Sequence, residues 1–411
     1  MNHEPPSVQK PQRLVFIVGL TIGLSILGDS FLYGNLPIEA ESLGIALPLV
    51  GILLSANRLV RLISNTWASS VFEKFGARKP FIASTVLALI TTALYGVGWG
   101  FMVFLLARMG WGIAWSALRQ GGFQAIWTGG PYAKGKLMGL LWGMIRLGSA
   151  FSVLLGGYLR DLWGYRAGVL GVMSVSALAI PVAISIRWPA EAQRISSSRQ
   201  SFWEGWKEAL KTERGRRLLL AGSIHTLFEG VLIATASLFL ARRLGNFDFL
   251  SGLGIRIGTI AGLLLALRWT SDILFAPGIG WMSDRLGQVK SLGVLVCVLL
   301  VSLAGTVSFT GPYLVLLLAF LFVSSAGLNI ILSALANGLS VHMERPHIYL
   351  GVYATAIDGG AALGPLLAYS VGTLTGFAAL YVAVGSVLAL AIFRYCWLGS
   401  EETRRQVTGN P

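Results

Sequence analysis

Twelve long stretches of this chain are almost free of charge, and that pattern limits its fold more than any other feature. They fall near 14–36, 46–71, 80–98, 101–127, 137–159, 166–187, 216–241, 254–281, 290–308, 312–340, 348–371 and 376–397. About twenty apolar residues suffice to cross a bilayer as a helix. Hydrocarbon offers no partners to backbone N–H and C=O groups, so each run must satisfy its own hydrogen bonds. Hydrophobic residues make up 55% of the chain and charged ones 12%, as suits a protein whose solvent is mostly lipid. The expected fold class is an all-α membrane protein with 12 transmembrane helices. The first span is too long for a leader and lacks a small-residue cleavage site, so residues 1–13 are expected to remain as a cytoplasmic N-terminal tail.

Lysine placement gives an orientation. Lys10, Lys74, Lys79, Lys134, Lys136, Lys207, Lys211 and Lys290 are the only lysines, and all fall on one side of the predicted spans. The positive-inside bias puts that side, and with it both termini, in the cytoplasm of a cell membrane. The same bias and anionic headgroups account for a net charge of +14 without nucleic acid, for which no water-facing basic domain is long enough. The two cysteines, Cys297 and Cys396, imply no disulfide framework. His3, His225, His342 and His347 lack metal-ligand spacing, and neither a hydrolase elbow nor a Walker loop occurs. The chain reads as no enzyme, with no metal and no cofactor.

An internal duplication runs through the sequence. Gly280-Trp-Met-Ser-Asp284-Arg285-Leu-Gly287, followed by Lys290, has a weaker copy 211 positions earlier, Ser69-Ser-Val-Phe-Glu73-Lys74-Phe-Gly76 with Lys79. Gly139 to Gly148 in span 5 aligns without gaps to Gly351 to Gly360 in span 11, placing Arg146 opposite Asp358. Asn57-Arg58 in span 2 aligns with Arg268-Trp269 in span 8, and spans 1 and 7 carry one acid each, Asp29 and Glu229. The pattern predicts two pseudo-symmetric six-helix bundles, 14–187 and 216–397, joined by a cytoplasmic linker at 188–215 and followed by a tail at 398–411. Within the linker, Ser201-Phe-Trp-Glu204 has capping-box spacing, and Trp203, Trp206 and Leu210 recur at helical intervals, predicting an amphipathic interfacial helix.

The pattern Gly-x-x-x-Asp-Arg-x-Gly-x-x-Lys resembles the loop motif of the major facilitator superfamily of secondary transporters. The resemblance extends over nearly the whole chain. It implies that Glu73 and Asp284 brace the cytoplasmic side when it is closed, meeting basic side chains and a positive helix end. Gly76 and Gly287 would allow the tight turns, with Lys74, Gly280, Arg285 and Lys290 completing the gating motif. The first copy departs from the family pattern at Ser69, Glu73 and Ala77. Arg108-Met-Gly-Trp-Gly112 in span 4 is similar to the family's Arg-x-x-x-Gly pattern, which is associated with proton coupling. Drug antiporters usually show Gly-Pro in span 5; this chain has Ser152-Val153 there and carries Gly364-Pro365 in span 11. The superfamily's packing implies two crossed bridges, Arg61 with Asp358 and Arg146 with Asp272.

Charges inside spans are costly and usually face a cavity or a partner. The candidates for a substrate or proton pathway are Asp29, Arg58, Arg61, Arg108, Arg119, Arg146, Glu229, Arg268, Asp272 and Asp358. Arginines suit a carboxylate or phosphate through forked hydrogen bonds, and acids suit protons. If the acids neutralise the arginines, the cavity suits a larger apolar solute equally well. The expected function is proton-coupled efflux of a small organic solute by a monomer using alternating access. Open alternatives are an uptake symporter or uniporter for an organic anion, and a non-transporting receptor or assembly factor with the same fold, which would have disrupted gates.

Overall fold

In a computed structural model of the chain, each of the twelve apolar runs is helical. The structure describes residues 11–98, 100–128, 130–189, 206–207, 209–244, 256–341, 343 and 346–408. The spans are α1 (Pro11–Glu39), α2 (Leu47–Phe75), α3 (Arg78–Val97), α4 (Phe101–Trp127), α5 (Gly130–Trp163) and α6 (Tyr165–Ser185). They continue as α7 (Glu213–Leu244), α8 (Ile257–Leu274), α9 (Gln288–Ser308), α10 (Tyr313–Ser340), α11 (Pro346–Ser370) and α12 (Phe377–Thr408). All twelve are long and apolar enough to cross a membrane.

The main departures from the predicted ends have local causes. The eighth run breaks at Phe275 and resumes as a short helix, Ala276–Leu286, with Pro277 in its first turn, where the missing N–H costs nothing. The last helix continues through Thr408, eleven residues into the segment set off as a tail. The capping box of the expected linker helix lies outside the described residues; Leu210 N–H to the Trp206 carbonyl, at 3.0 Å, closes one turn of it.

The turns after α2 and after the α8 extension are closed by Gly76 (φ +72°) and Gly287 (φ +82°). Those left-handed angles strain any residue with a Cβ, which is why both copies of the motif carry glycine at the turn.

By contact the chain divides into two compact units, residues 1–198 with 248–269, and 199–247 with 270–411. The first unit's core gathers Val15, Val18 and Ile22 of α1 against Trp111, Trp115 and Leu118 of α4 and Leu141 and Ile145 of α5. Trp115 stacks obliquely between Trp111 and Trp142, with ring centres 5.9 and 6.4 Å away. In the second unit, α7 is bound by Tyr369 of α11, whose hydroxyl donates to the Ala234 carbonyl (2.7 Å), and by a Thr235–Tyr381 hydroxyl pair to α12 (2.6 Å).

Duplicated glycines do equivalent work in each unit. A Cβ on Gly148 would collide with the Gly23 backbone of α1, and a Cβ on Gly360 with the Ser223 carbonyl of α7. Such close backbone approach is how membrane helices gain contact area without a hydrophobic drive between them. Gly364 extends the second contact, lying against Gly230, and so accounts for the glycine of the Gly-Pro in α11. By contrast Gly139 and Gly351, also a duplicated pair, face open space.

Alanine should therefore split the four positions. Gly148→Ala and Gly360→Ala should each lower the thermal unfolding midpoint of the purified protein, through about 1–3 kcal/mol of overpacking. Gly139→Ala and Gly351→Ala should hold or raise it, since alanine is the better helix former by roughly 1 kcal/mol. Equal effects at all four would refute the packing assignment.

Candidate functional site: a sealed ion pair between α1, α2 and α4

The deepest charge in the first unit is Arg108, whose exposure is 0%. One face of α4 explains how it got there. Arg108, Gly112 and Ser116 recur every fourth residue, so they form a single stripe, and each meets α2. At Gly112 the helices nearly touch: a Cβ there would sit 2.6 Å from the Asn57 carbonyl oxygen. Ser116 pairs with Ser64 (2.7 Å) and donates to Asn65 (2.8 Å). One turn the other way, the guanidinium of Arg108 reaches the α2 backbone. Nε donates to the Leu53 carbonyl (2.9 Å) and Nη2 to that of Leu54 (3.2 Å).

The charge itself is neutralised by α1. Arg108 Nη1 forms a buried ion pair with Asp29, which also accepts from Asn57 Nδ2 at 3.1 Å. The Tyr33 hydroxyl lies 3.4 Å from Arg108 Nη2, and its ring stands 5.4 Å from the guanidinium carbon, a cation–π arrangement. Three helices are thus joined through one arginine. A charge-assisted network in a dry setting is strong when every donor is used, and costly when one partner goes.

Sequence reasoning put Asp29 and Arg108 in one candidate proton pathway, and the structure brings them into direct contact. The other candidates are distributed around this pair. Arg268 of α8 is buried, with 1% exposure, in the first unit. Arg58, Arg61, Arg119 and Arg146 are half-buried there, as are Glu229, Asp272 and Asp358 in the second unit. All seven have polar or electrostatic partners. Within the loop motif, Glu73, Lys74, Asp284, Arg285 and Lys290 are exposed, and Arg285 lies over the Trp281 ring at 4.4 Å. Among the described residues no group of three His, Cys, Asp or Glu side chains could hold a metal ion.

Sequence reasoning missed Glu39, Arg160 and Asp161, which stand together at the far ends of α1 and α5. It also missed His225, buried in α7 with Nε2 at 2.9 Å from the Ser325 carbonyl oxygen. The adjacent Arg160-Asp161 pair was the only signal for the first group, and charges at span ends are too common to single out.

Twelve spans, duplicated glycine contacts and a buried charge network describe a multi-pass membrane protein. The chain belongs to the Major Facilitator Superfamily, whose sequence model matches residues 18–259. It is 25% identical over 366 residues to the multidrug resistance protein MdtG of Dickeya zeae (strain Ech586), covering 85% of this chain and 83% of that one. It is 23% identical to the quinolone resistance protein NorA of Staphylococcus aureus (strain MSSA476), covering 92% and 94%. Among solved structures, a mutant of the nucleoside transporter NupG superposes with a TM-score of 0.75 at 12% identity, covering 94% of this chain and 98% of that one. A bacterial homologue of the human lysosomal transporter Spinster, in an inward-facing occupied conformation, gives 0.74 at 14% identity, covering 96% and 98%.

The ion pair makes a prediction that a double-mutant cycle can read. Arg108→Ala leaves the Asp29 carboxylate buried without its countercharge, and breaking such a pair costs about 3–5 kcal/mol. Asp29→Asn in the same chain removes the stranded charge and should recover a large part of that loss. Additive losses of thermal stability would show that the two side chains do not act as a unit.

Proposed function

We propose that this transporter exports a small organic solute in exchange for protons, with Asp29 as the proton-binding group of the first unit and Arg108 as its partner. The observation that carries the reading is the pairing itself. A guanidinium stays charged at any working pH, and it competes with a proton for the same carboxylate oxygens. Movement of α4 against α1 then exchanges a proton, and a proton entering at Asp29 loosens α4. The direction follows the relatives: MdtG and NorA carry the names of drug-resistance proteins, and resistance is most simply achieved by export. Both termini lie in the cytoplasm in this reading, on the strength of the lysine distribution.

Purified protein in proteoliposomes, given an imposed pH gradient and a mixed panel of organic solutes read by mass spectrometry, tests substrate, direction and coupling together. The wild-type chain should move at least one solute against its gradient at the expense of protons. Asp29→Asn should abolish that accumulation while leaving counterflow exchange intact, since exchange needs no net proton movement. Gradient-driven accumulation by Asp29→Asn would overturn the proton assignment; uptake along with protons would overturn the direction.

A further inference from the structure

At the end of α5 remote from the Gly76 turn, Asp161 is withdrawn from solvent although it lies at a span end, with a side-chain exposure of 0%. Its Oδ2 accepts from the Thr259 N–H (2.7 Å), the Thr259 hydroxyl (2.8 Å) and the Arg256 N–H (3.2 Å), all at the start of α8. Oδ1 accepts from Arg160 Nη1 (2.8 Å), and Arg160 in turn grips Glu39 at the end of α1 through Nε (2.8 Å) and Nη2 (2.5 Å). Every one of these residues belongs to the first compact unit.

The first turn of a helix has N–H groups without partners, and an N-cap side chain normally serves them. Here the N-cap position holds Arg256, which has no acceptor to offer. The carboxylate of another helix supplies it, with the attraction of a negative charge for a helix N-terminus added. Behind the cap the two backbones press together: a Cβ on Gly157 would lie 2.6 Å from the Gly258 carbonyl oxygen, and one on Gly262 would collide with that of Val153. By the duplication, α8 belongs to the second half of the chain, yet its first residues are fastened to the first half.

We propose that Asp161 is a positioning residue of the transport cycle, clasping the start of α8 to α5 while the side of the membrane bearing Glu39 is closed and releasing it when that side opens. The clasp is suited to repeated opening. Separation exposes the α8 N–H groups and the carboxylate to water at the membrane surface, and Asp161 keeps Arg160, so no charge is stranded. The inference rests on alternating access alone, independent of direction or proton coupling.

Spin labels at Trp163→Cys and Leu263→Cys, both exposed and on α5 and α8, read the separation in the full chain with Cys297 and Cys396 replaced by serine. Measurements use lipid nanodiscs without solute or pH gradient, so a failure of the exchange reading leaves them unaffected. In Asp161→Ala the population at longer distance should rise about tenfold, the effect of one lost charge-assisted contact set. Asp161→Asn, which keeps an acceptor for Thr259, should fall between Ala and wild type. Gly262→Ala, which wedges the backbones apart, should shift the population in the same direction. An unchanged distribution in folded Asp161→Ala would overturn the proposal. If that variant does not fold, unchanged distributions in both Thr259→Val and Gly262→Ala would do so.

Discussion

A helix in hydrocarbon has already used its backbone hydrogen bonds, so only contact area and scarce polar groups remain to bind it to its neighbours. Everything specific in this structure follows from that shortage. Where two helices must touch, glycine removes the obstacle, at Gly23 with Gly148, at Asn57 with Gly112 and at Gly230 with Gly364. Where they must hold one orientation, a polar side chain is placed beside the contact. Arg108 stands one turn from Gly112, and Asp161 one turn from Gly157. The small residue and the charge work as a pair: without the glycine the arginine would not reach the α2 carbonyls, and without the arginine the bare contact would specify no rotation.

The two units use the same glycine framework with different polar content. Gly148 and Gly360 hold equivalent positions, and so do Gly139 and Gly351. The sealed arginine of α4 has no charged counterpart in α10, where the matching stretch of the sequence is apolar. In its place the second unit ties α7 to α10 through His225 and Ser325, and to α11 through Thr226 and the Ile357 carbonyl (2.8 Å). Duplication has preserved what shapes the bundles and let diverge what carries charge.

Much of the architecture was legible in the sequence because each level of it has a local signature. Apolar runs of span length marked the twelve helices, and the gapless alignment of spans 5 and 11 marked glycines that proved to share a packing role. Asp29 and Arg108 stood out as charges where charge is expensive. That they touch was not legible, since it depends on how α1, α2 and α4 are rotated about their axes. Half of Arg108's partners are main-chain oxygens, which every residue has and no pattern reveals. The Glu39, Arg160 and Asp161 group was hidden for a different reason: at the membrane surface a charge needs no explanation, so only coordinates distinguish a solvated carboxylate from a buried cap. The break of the eighth run at Phe275 depended on whether Pro277 would kink the helix or merely open its next segment.

The grip of Arg108 on two successive α2 carbonyls has a mechanical consequence. A helix held at Leu53 and Leu54 cannot slide along its own axis, because a shift of one residue, about 1.5 Å, brings different oxygens to the guanidinium. Nor is it free to pivot there, because Gly112 against Asn57 and Ser116 with Ser64 and Asn65 fasten the next three turns to the same face of α4. From Leu53 to Asn65 that seam runs for roughly 18 Å. The two helices are thereby riveted into one beam, and the Gly76 turn is carried on the end of a body that includes the ion pair.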